Sequence, residues 1–281
     1  MNHCFEIALF RPYKKDVESS EKVKELNFEG KKVLVVGAGR SGLAAVRKLK
    51  ASGVQVLLTD REAPEKLSGI QELGLDKEQL ILGRTPQWEE VKAELIVLSP
   101  GVSPKLPFIQ EGIDQGAQIW SEVELALREH PALKIGVTGT NGKTTTTTLI
   151  GELAKRTGRP TLVAGNIGVA LSDQVDKLDE QGIVVAELSS FQLELIDKLR
   201  LNVGILLNIT PDHLDRHGTI ENYLQAKARI FENQRPEDCA ILNWDDERVR
   251  ELGPKLKARV VYFSPTSLLT EGYGMQGEEI V

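Results

Sequence analysis

With 281 residues, 35 basic and 41 acidic side chains and a formal charge of −6, the chain lacks the global basic footprint of a nucleic-acid binder and is long enough for about two domains. No apolar run approaches the roughly 20 residues of a membrane span, and MNHCFEIALF, with no basic start and with Glu6 inside its apolar stretch, does not read as a signal peptide. Two cysteines, Cys4 and Cys239, make neither a disulfide framework nor a CxxC metal site, so a reduced cytoplasmic setting with no membrane and no nucleic-acid partner is expected.

Residues 1–27 are polar beyond Phe10 and are expected to form an extension. KKVLVVG then predicts a strand, SGLAAVRKLKASG a helix that stops at Gly53, VQVLLTD a second strand, and LIVLSPG at 95–101 a third. After a helix over 121–129 and the break at His130-Pro131, a second register begins. KIGVTG, IVVAELSS, VGILLNIT and CAILN predict strands, a long helix follows the first, and others fall near 221–232 and 245–252. Buried β-branched runs alternating with amphipathic helices predict an α/β chain with parallel sheets. The boundary is placed near residue 130.

Gly37-Ala38-Gly39-Arg40-Ser41-Gly42 is G-x-G-x-x-G between a strand and a helix. Its glycines let the backbone approach a phosphate, and the helix N-terminus favours the charge. Asp60 ends the next strand, where a ribose-binding acid would sit in a dinucleotide fold. By spacing alone this reads as an NAD or FAD site. A turn kept for packing is the plainer alternative, and the nucleotide stays open.

The second loop, Gly136-Val137-Thr138-Gly139-Thr140-Asn141-Gly142-Lys143-Thr144-Thr145, is a variant phosphate-binding loop with Val137 where glycine is usual. Gly139 and Gly142 free backbone N–H groups, Lys143 can neutralise β/γ-phosphate charge, and Thr144 can hold Mg²⁺. The threonines at 144–148 are poor helix formers, so helix propensity did not select them. ATP binding is the inference.

Such a loop needs a carboxylate on a neighbouring strand, and Glu187 closes the run Ile183-Val184-Val185-Ala186. Ser189 and Gln192 have capping-box spacing and start the next helix. In Thr210-Pro211-Asp212-His213 the threonine reads as an N-cap with proline at N1. His213 there is a surface residue or a second Mg²⁺ ligand, and spacing does not choose. Lys227 lies between Tyr223 and Phe231 on one helix face. It either snorkels or is a desolvated amine of lowered pKa, able to form a carbamate with CO₂.

The segments GTNGKTT, AGNIG, AELSSFQLE, NITPDHLDRHG and AKARIFEN together resemble the Mur ligases over residues 28–281, and ELSSFQLE, DHLDRHG and SPGV resemble the D-glutamate-adding branch. GTNGK is shared with sister ligases and folylpolyglutamate synthases; SSFQLE and GNIG are more specific. The resemblance implies an ATP-dependent ligase of cytoplasmic peptidoglycan synthesis that adds D-glutamate to UDP-N-acetylmuramoyl-L-alanine through an acyl phosphate. It implies that Gly139, Thr140, Asn141, Gly142, Lys143, Thr144 and Thr145 hold ATP. Thr144 and Glu187 would face a first Mg²⁺, and His213 and carbamylated Lys227 a second. Lys143, Glu187, His213 and Lys227 would be catalytic. Asn166, Ser189 and Gln192 would position the muramoyl substrate. The first loop would hold UDP in place of NAD, with Arg40 and Ser41 at the pyrophosphate, Asp60 and Arg61 at the uracil, and Ser99, Pro100 and Gly101 lining the pocket.

On this resemblance residues 28–130 form a Rossmann-like UDP-substrate domain and residues 131–281 a P-loop-type α/β ATPase domain. The family's adenine-side His-Asn pair and its third, D-glutamate-binding domain have no counterpart in the sequence, which ends in GYGMQGEEIV as if entering a hairpin. The chain is therefore expected to be an incomplete, monomeric piece that is inactive alone. A non-catalytic UDP-sugar and ATP-binding module, another Mur ligase paralogue, and an NAD oxidoreductase fused to a phosphate-loop domain are the alternatives.

Overall fold

Short β-branched runs end in glycine turns that feed helices, and the right-handed crossover of such units lays their strands parallel. A computed structural model of the chain describes residues 30–277 and 279–281; the extension expected at 1–27 lies outside them. The first half runs β1 (Lys32–Val36), α1 (Arg40–Ala51), β2 (Gln55–Asp60), β3 (Leu80–Leu82), α2 (Trp88–Val91), β4 (Leu95–Leu98), α3 (Pro107–Asp114), β5 (Gln118–Ser121) and α4 (Glu122–Leu127). Its strands order β3-β2-β1-β4-β5, all parallel, so the first glycine loop opens at the central strand.

The second half runs β6 (Leu133–Thr138), α5 (Lys143–Lys155), β7 (Thr161–Gly165), β8 (Ile183–Glu187), α6 (Ser190–Leu193), β9 (Val203–Leu206), α7 (Leu214–His217), α8 (Ile220–Ala228), β10 (Cys239–Asn243), α9 (Glu247–Arg250) and β11 (Arg259–Phe263). These strands order β11-β10-β9-β6-β8-β7, again parallel. Strand β6, which carries the phosphate-type loop, thus lies between β8 and β9. The expected terminal hairpin is present as an antiparallel pair, β12 (Met275–Gln276) and β13 (Glu279–Ile280).

Each sheet is packed on both faces. Val33, Val35 and Leu58 form one core of the first sheet with Val46 and Leu49 of α1; Leu34, Val36 and Ile96 form the other with Trp88, Phe108 and Ile109. Gly42 shows why the first loop needs glycine, since a Cβ there would stand 1.8 Å from the carbonyl oxygen of Gly37. The obstacle is backbone, so Gly42→Ala should cost about 1–3 kcal/mol in urea denaturation. A variant as stable as the parent would show that the α1–β1 approach is looser than described.

The chain crosses between the sheets through residues 128–132, and side chains fasten the halves on several sides. Arg47 of α1 makes two parallel bonds to Asp173, both 2.7 Å, and Lys48 bonds Asp176 at 2.6 Å. The Glu122 carboxylate accepts the Ser172 N–H at 2.6 Å, and burial raises its pKa. Glu124, 0% exposed, accepts the N–H groups of Asp197, Lys198 and Leu199, each at 3.0 Å, and Arg128 at 2.9 Å. Lys134, buried at the start of β6, donates to the carbonyls of Leu127 and His130. Burial, reinforced by Arg200, pushes its amine down to about 8.

Candidate active site

The loop after β6 is shaped by Gly139 and Gly142, at φ 151° and 82°, a region closed to most side chains. Gly142 hands the chain to α5, whose first N–H groups have no partner within the helix. The adjoining exit of β9 fixes the loop from the side. Asn208 Oδ1 accepts the Asn141 N–H at 2.8 Å while its Nδ2 donates to the Asn141 carbonyl at 3.1 Å. The Thr140 N–H reaches the Asn208 carbonyl at 2.9 Å, and Thr140 Oγ1 accepts the Thr210 N–H at 3.0 Å. Lys143 Nζ donates to the loop's own Gly139 and Thr140 carbonyls at 3.0 and 2.8 Å. Thr145 follows, exposed, on the first turn of α5.

At the end of β8 the Glu187 carboxylate is 2% exposed. Thr144 Oγ1 donates to its Oε2 at 2.7 Å, and Asn166 Nδ2 donates to its Oε1 at 2.9 Å. The three expected residues therefore meet around one buried acid, although Asn166 was assigned to substrate and its amide holds the acid. A hydroxyl and a carboxylate are hard oxygen donors beside a phosphate loop. They suit Mg²⁺, which keeps much of its shell as water and phosphate oxygens.

Lys227 is 2% exposed, so the snorkelling alternative is not what the structure shows. Its Nζ donates to the Gly139 carbonyl at 2.8 Å, contacts Thr138 Oγ1 at 3.4 Å and lies 4.7 Å from the Tyr223 ring centre. Burial, and then the Lys143 charge, push its amine down to about 7 against the opposing pull of Asp212 and Glu187. His213 is exposed, 5.0 Å from the Phe191 ring and 3.6 Å from Asp212. Contrary to the reading of Thr210 as N-cap and Pro211 as N1, the helix begins at Leu214 and His213 occupies the cap at φ 51°. The short chain between β9 and α7 is spent on bonds to the phosphate-type loop, which delays the helix. An imidazole and an unmodified amine are nitrogen donors, so a second Mg²⁺ fits here only once an oxygen ligand is added. Among the described residues no three or more His, Cys, Asp or Glu side chains gather as a metal site.

Ser189 and Gln192 form the expected capping box: the Gln192 N–H reaches Ser189 Oγ at 3.3 Å, and Gln192 Oε1 accepts the Ser189 N–H at 2.9 Å. On the first sheet, Asp60 Oδ2 accepts the Ala38 N–H at 2.6 Å and its Oδ1 accepts that of Glu62 at 2.9 Å. The acid thus braces the glycine turn. Arg40 reaches the other half, donating to the carbonyls of Gly168 at 2.6 Å and Asn166 at 3.3 Å. Ser99 Oγ donates to the Gly37 carbonyl at 3.0 Å. Ser41 and Pro100 are half-buried, and Arg61 and Gly101 are exposed around the same loop.

Sequence reasoning missed Asn208 and Arg216. A polar residue at the C-terminal end of the strand beside the phosphate-loop strand was the available signal for Asn208. Arg216 had none, because its partners Pro100 and Val102 lie in the other half.

Residues 31–121 match the model described as the Mur ligase MurD-like, N-terminal domain, and residues 137–271 match the Mur ligase middle domain. A UDP-N-acetylmuramoylalanine--D-glutamate ligase of Desulfitobacterium hafniense is 79% identical over 256 residues, covering 91% of this chain and 56% of that protein. The ligase of the same name from Clostridioides difficile is 43% identical over 259 residues, covering 91% of this chain and 57% of its own length. The chain spans about half the length of the curated relatives it matches. Among solved structures, the UDP-N-acetylmuramate:L-alanyl-gamma-D-glutamyl-meso-diaminopimelate ligase of Neisseria meningitides superposes with a TM-score of 0.55 at 18% identity, over 86% of this chain and 82% of that one. A murein peptide ligase of Psychrobacter arcticus gives 0.54 at 15%, over 89% and 56%. At these identities the likeness concerns the fold.

Proposed function

Because this chain belongs to the Mur ligase family, we propose that it carries the UDP-substrate and ATP sites of a ligase joining D-glutamate to UDP-N-acetylmuramoyl-L-alanine in the cytoplasm. The observation that carries the reading is the meeting of Thr144, Glu187 and Asn166 beside the Lys143 loop, with a buried Lys227 behind it. Residues 28–130 are proposed as the UDP-substrate domain and 131–281 as the ATPase domain, acting as a monomer.

ATP enters as co-substrate. The N–H groups at the start of α5, from Gly142 to Thr145, and the Lys143 ammonium receive its phosphates, with Lys143 leaving the loop carbonyls it bonds. Thr144 and Glu187 would hold Mg²⁺, which supplies neutralisation of β- and γ-phosphate charge. Asn166 keeps the Glu187 carboxylate turned toward Thr144. The Ser189–Gln192 turn and the backbone near Asn166 place the muramoyl carboxylate in line with the γ-phosphate, the orientation on which phosphoryl transfer depends. The carboxylate oxygen bonds the γ-phosphorus as ADP leaves, and the acyl phosphate is then opened by the D-glutamate amine, which loses a proton as phosphate departs.

Lys227 takes part as a carbamate in this reading. Its neutral amine nitrogen would bond the carbon of CO₂ and lose one proton, giving an N-carboxylate that, with His213, would supply the oxygen ligand a second Mg²⁺ needs. A lowered amine pKa supports this, because only the unprotonated amine reacts.

Calorimetric titration of the chain tests the reading. UDP and Mg²⁺–ADP should each bind in the micromolar to millimolar range, and NAD should not. The Asp60 oxygens accept N–H groups of their own turn and of the glycine loop, so the acid braces the turn under the UDP reading and the dinucleotide alternative alike, and the titration decides between that reading and the alternative. NAD binding without UDP binding would replace the ligase reading with that one.

A further inference from the structure

The guanidinium of Arg216, on α7, reaches across to the first half. Its Nη1 donates to the carbonyl oxygens of Val102 at 3.1 Å and Pro100 at 3.5 Å, and its Nη2 donates to Glu194 Oε2 at 2.9 Å. Its Cζ also stands 4.5 Å from the centre of the Phe191 ring. The side chain is 16% exposed. A planar, multiply donating guanidinium can hold two carbonyls and a carboxylate while stacking on a ring; an ammonium cannot.

Each partner leads to one of the two proposed sites. Pro100 and Val102 belong to the loop that closes on the first glycine turn. There Ser99 packs so tightly that a Cβ on Gly37 would lie 2.8 Å from it. On the other side, Phe191 lies within the Ser189–Gln192 turn and faces both His213 and His217. His213 is in the same turn as Arg216, whose backbone N–H donates to the His213 carbonyl at 3.1 Å.

We propose that Arg216 is a positioning residue coupling the nucleotide-sugar pocket at the first glycine loop to the Mg²⁺–nucleotide site at the second. It does so by fixing His213 and the Ser189–Gln192 turn against the 99–102 loop. The proposal rests on the ligase reading. A ligand that orders the 99–102 loop orders the Arg216 acceptors, and so lowers the cost of ordering His213. The converse must hold by the same factor, because coupling between binding sites is reciprocal.

The experiment is calorimetry on the chain, titrating Mg²⁺–ADP with and without saturating UDP, in the parent, Arg216→Gln and Arg216→Lys. In the parent, UDP should tighten Mg²⁺–ADP binding by about fivefold or more. In both variants that ratio should fall to within about twofold of unity. Arg216→Lys keeps a cation beside Glu194, so it decides the matter if the glutamine variant folds poorly. A merely structural role would lower the thermal midpoint and both separate affinities while sparing the ratio. That result, or binding of both ligands by the parent with no coupling, overturns the proposal. If the parent binds neither UDP nor Mg²⁺–ADP, the ligase reading itself falls and takes this one with it.

Discussion

With Lys227 replaced by methionine, the D-glutamate ligation proposed for the full-length protein should fall by about 10²–10³-fold or more, while the folded chain becomes more stable at neutral pH. Both effects follow from one buried amine. Its pKa is about 7 in the fold against an ordinary 10.5, so at pH 7 roughly half is neutral, compared with about one in a few thousand for a free lysine. That fraction is what CO₂ can capture. Between pH 7 and 10.5 the unfolded chain holds this proton more firmly than the folded chain. Stability therefore rises with pH through that window, and the full penalty is present below it.

Methionine fills the stem's volume and removes the charge. The polar neighbours stay satisfied: the Gly139 carbonyl still accepts Lys143, and Thr138 Oγ1 still donates to the Leu188 carbonyl at 2.7 Å. The gain should be about 1–4 kcal/mol in urea denaturation at pH 7. The stability–pH slope should flatten, leaving the contribution of Lys134, whose amine sits at about 8. Ligation by the parent should drop in CO₂-depleted buffer and return with bicarbonate. Full activity of the methionine variant would exclude any role for the amine or its carbamate.

Glu124→Ala should destabilise the chain by about 3–5 kcal/mol, the usual consequence of removing one partner from a buried charge network. The carboxylate serves the N–H groups of Asp197, Lys198 and Leu199 together with Arg128, whose guanidinium also lies 4.5 Å from the Trp120 ring centre. Alanine leaves three backbone donors and a cation without that acceptor, the Leu199 N–H among them buried. Glu124→Gln keeps one acceptor oxygen and should lose about half as much. Urea denaturation reads both, and a loss below ~1 kcal/mol for alanine would mean that Asp197, already 2.6 Å from Arg128, suffices for the arginine and that the turn at 197–199 rearranges.

The strands that periodicity revealed and those it missed divide by position in the sheet. KVLVV, QVLLTD and LIVL are interior in the first sheet, as are the strands from KIGVTG, IVVAE, VGIL and CAILN in the second. Packed on both faces, they are nearly continuous apolar runs. The strands that went unread, Leu80–Leu82, Gln118–Ser121, Thr161–Gly165 and Arg259–Phe263, are the edges of the two sheets. An edge strand is half-buried and carries polar residues, so QIWS and TLVAG look like loop. Helix Pro107–Asp114 was lost for another reason, since Gly112 weakens its pattern while fitting closely against Trp88.

The site divides in a similar way. Lys143, Thr144 and Glu187 were legible because loop and acid each end a recognisable strand. Asn208 and Arg216 work through contacts with residues 67 and 114–116 positions away, a relation that no local window contains. The burial of Lys227 was legible as a lysine on an apolar face, but the Gly139 carbonyl that receives it was not.

The fastenings between the halves differ in kind. Arg47–Asp173 and Lys48–Asp176 lie at the surface, with several of these side chains substantially exposed, whereas the Glu124 carboxylate is itself sealed from solvent. Mobile ions screen the first set, with a Debye length near 3 Å at 1 M salt against about 8 Å at physiological strength, and hardly reach the second. Ionic strength therefore acts as a one-sided lever: concentrated salt loosens the α1 flank while the flank at Glu124 holds, giving the two sheets a preferred axis about which to part.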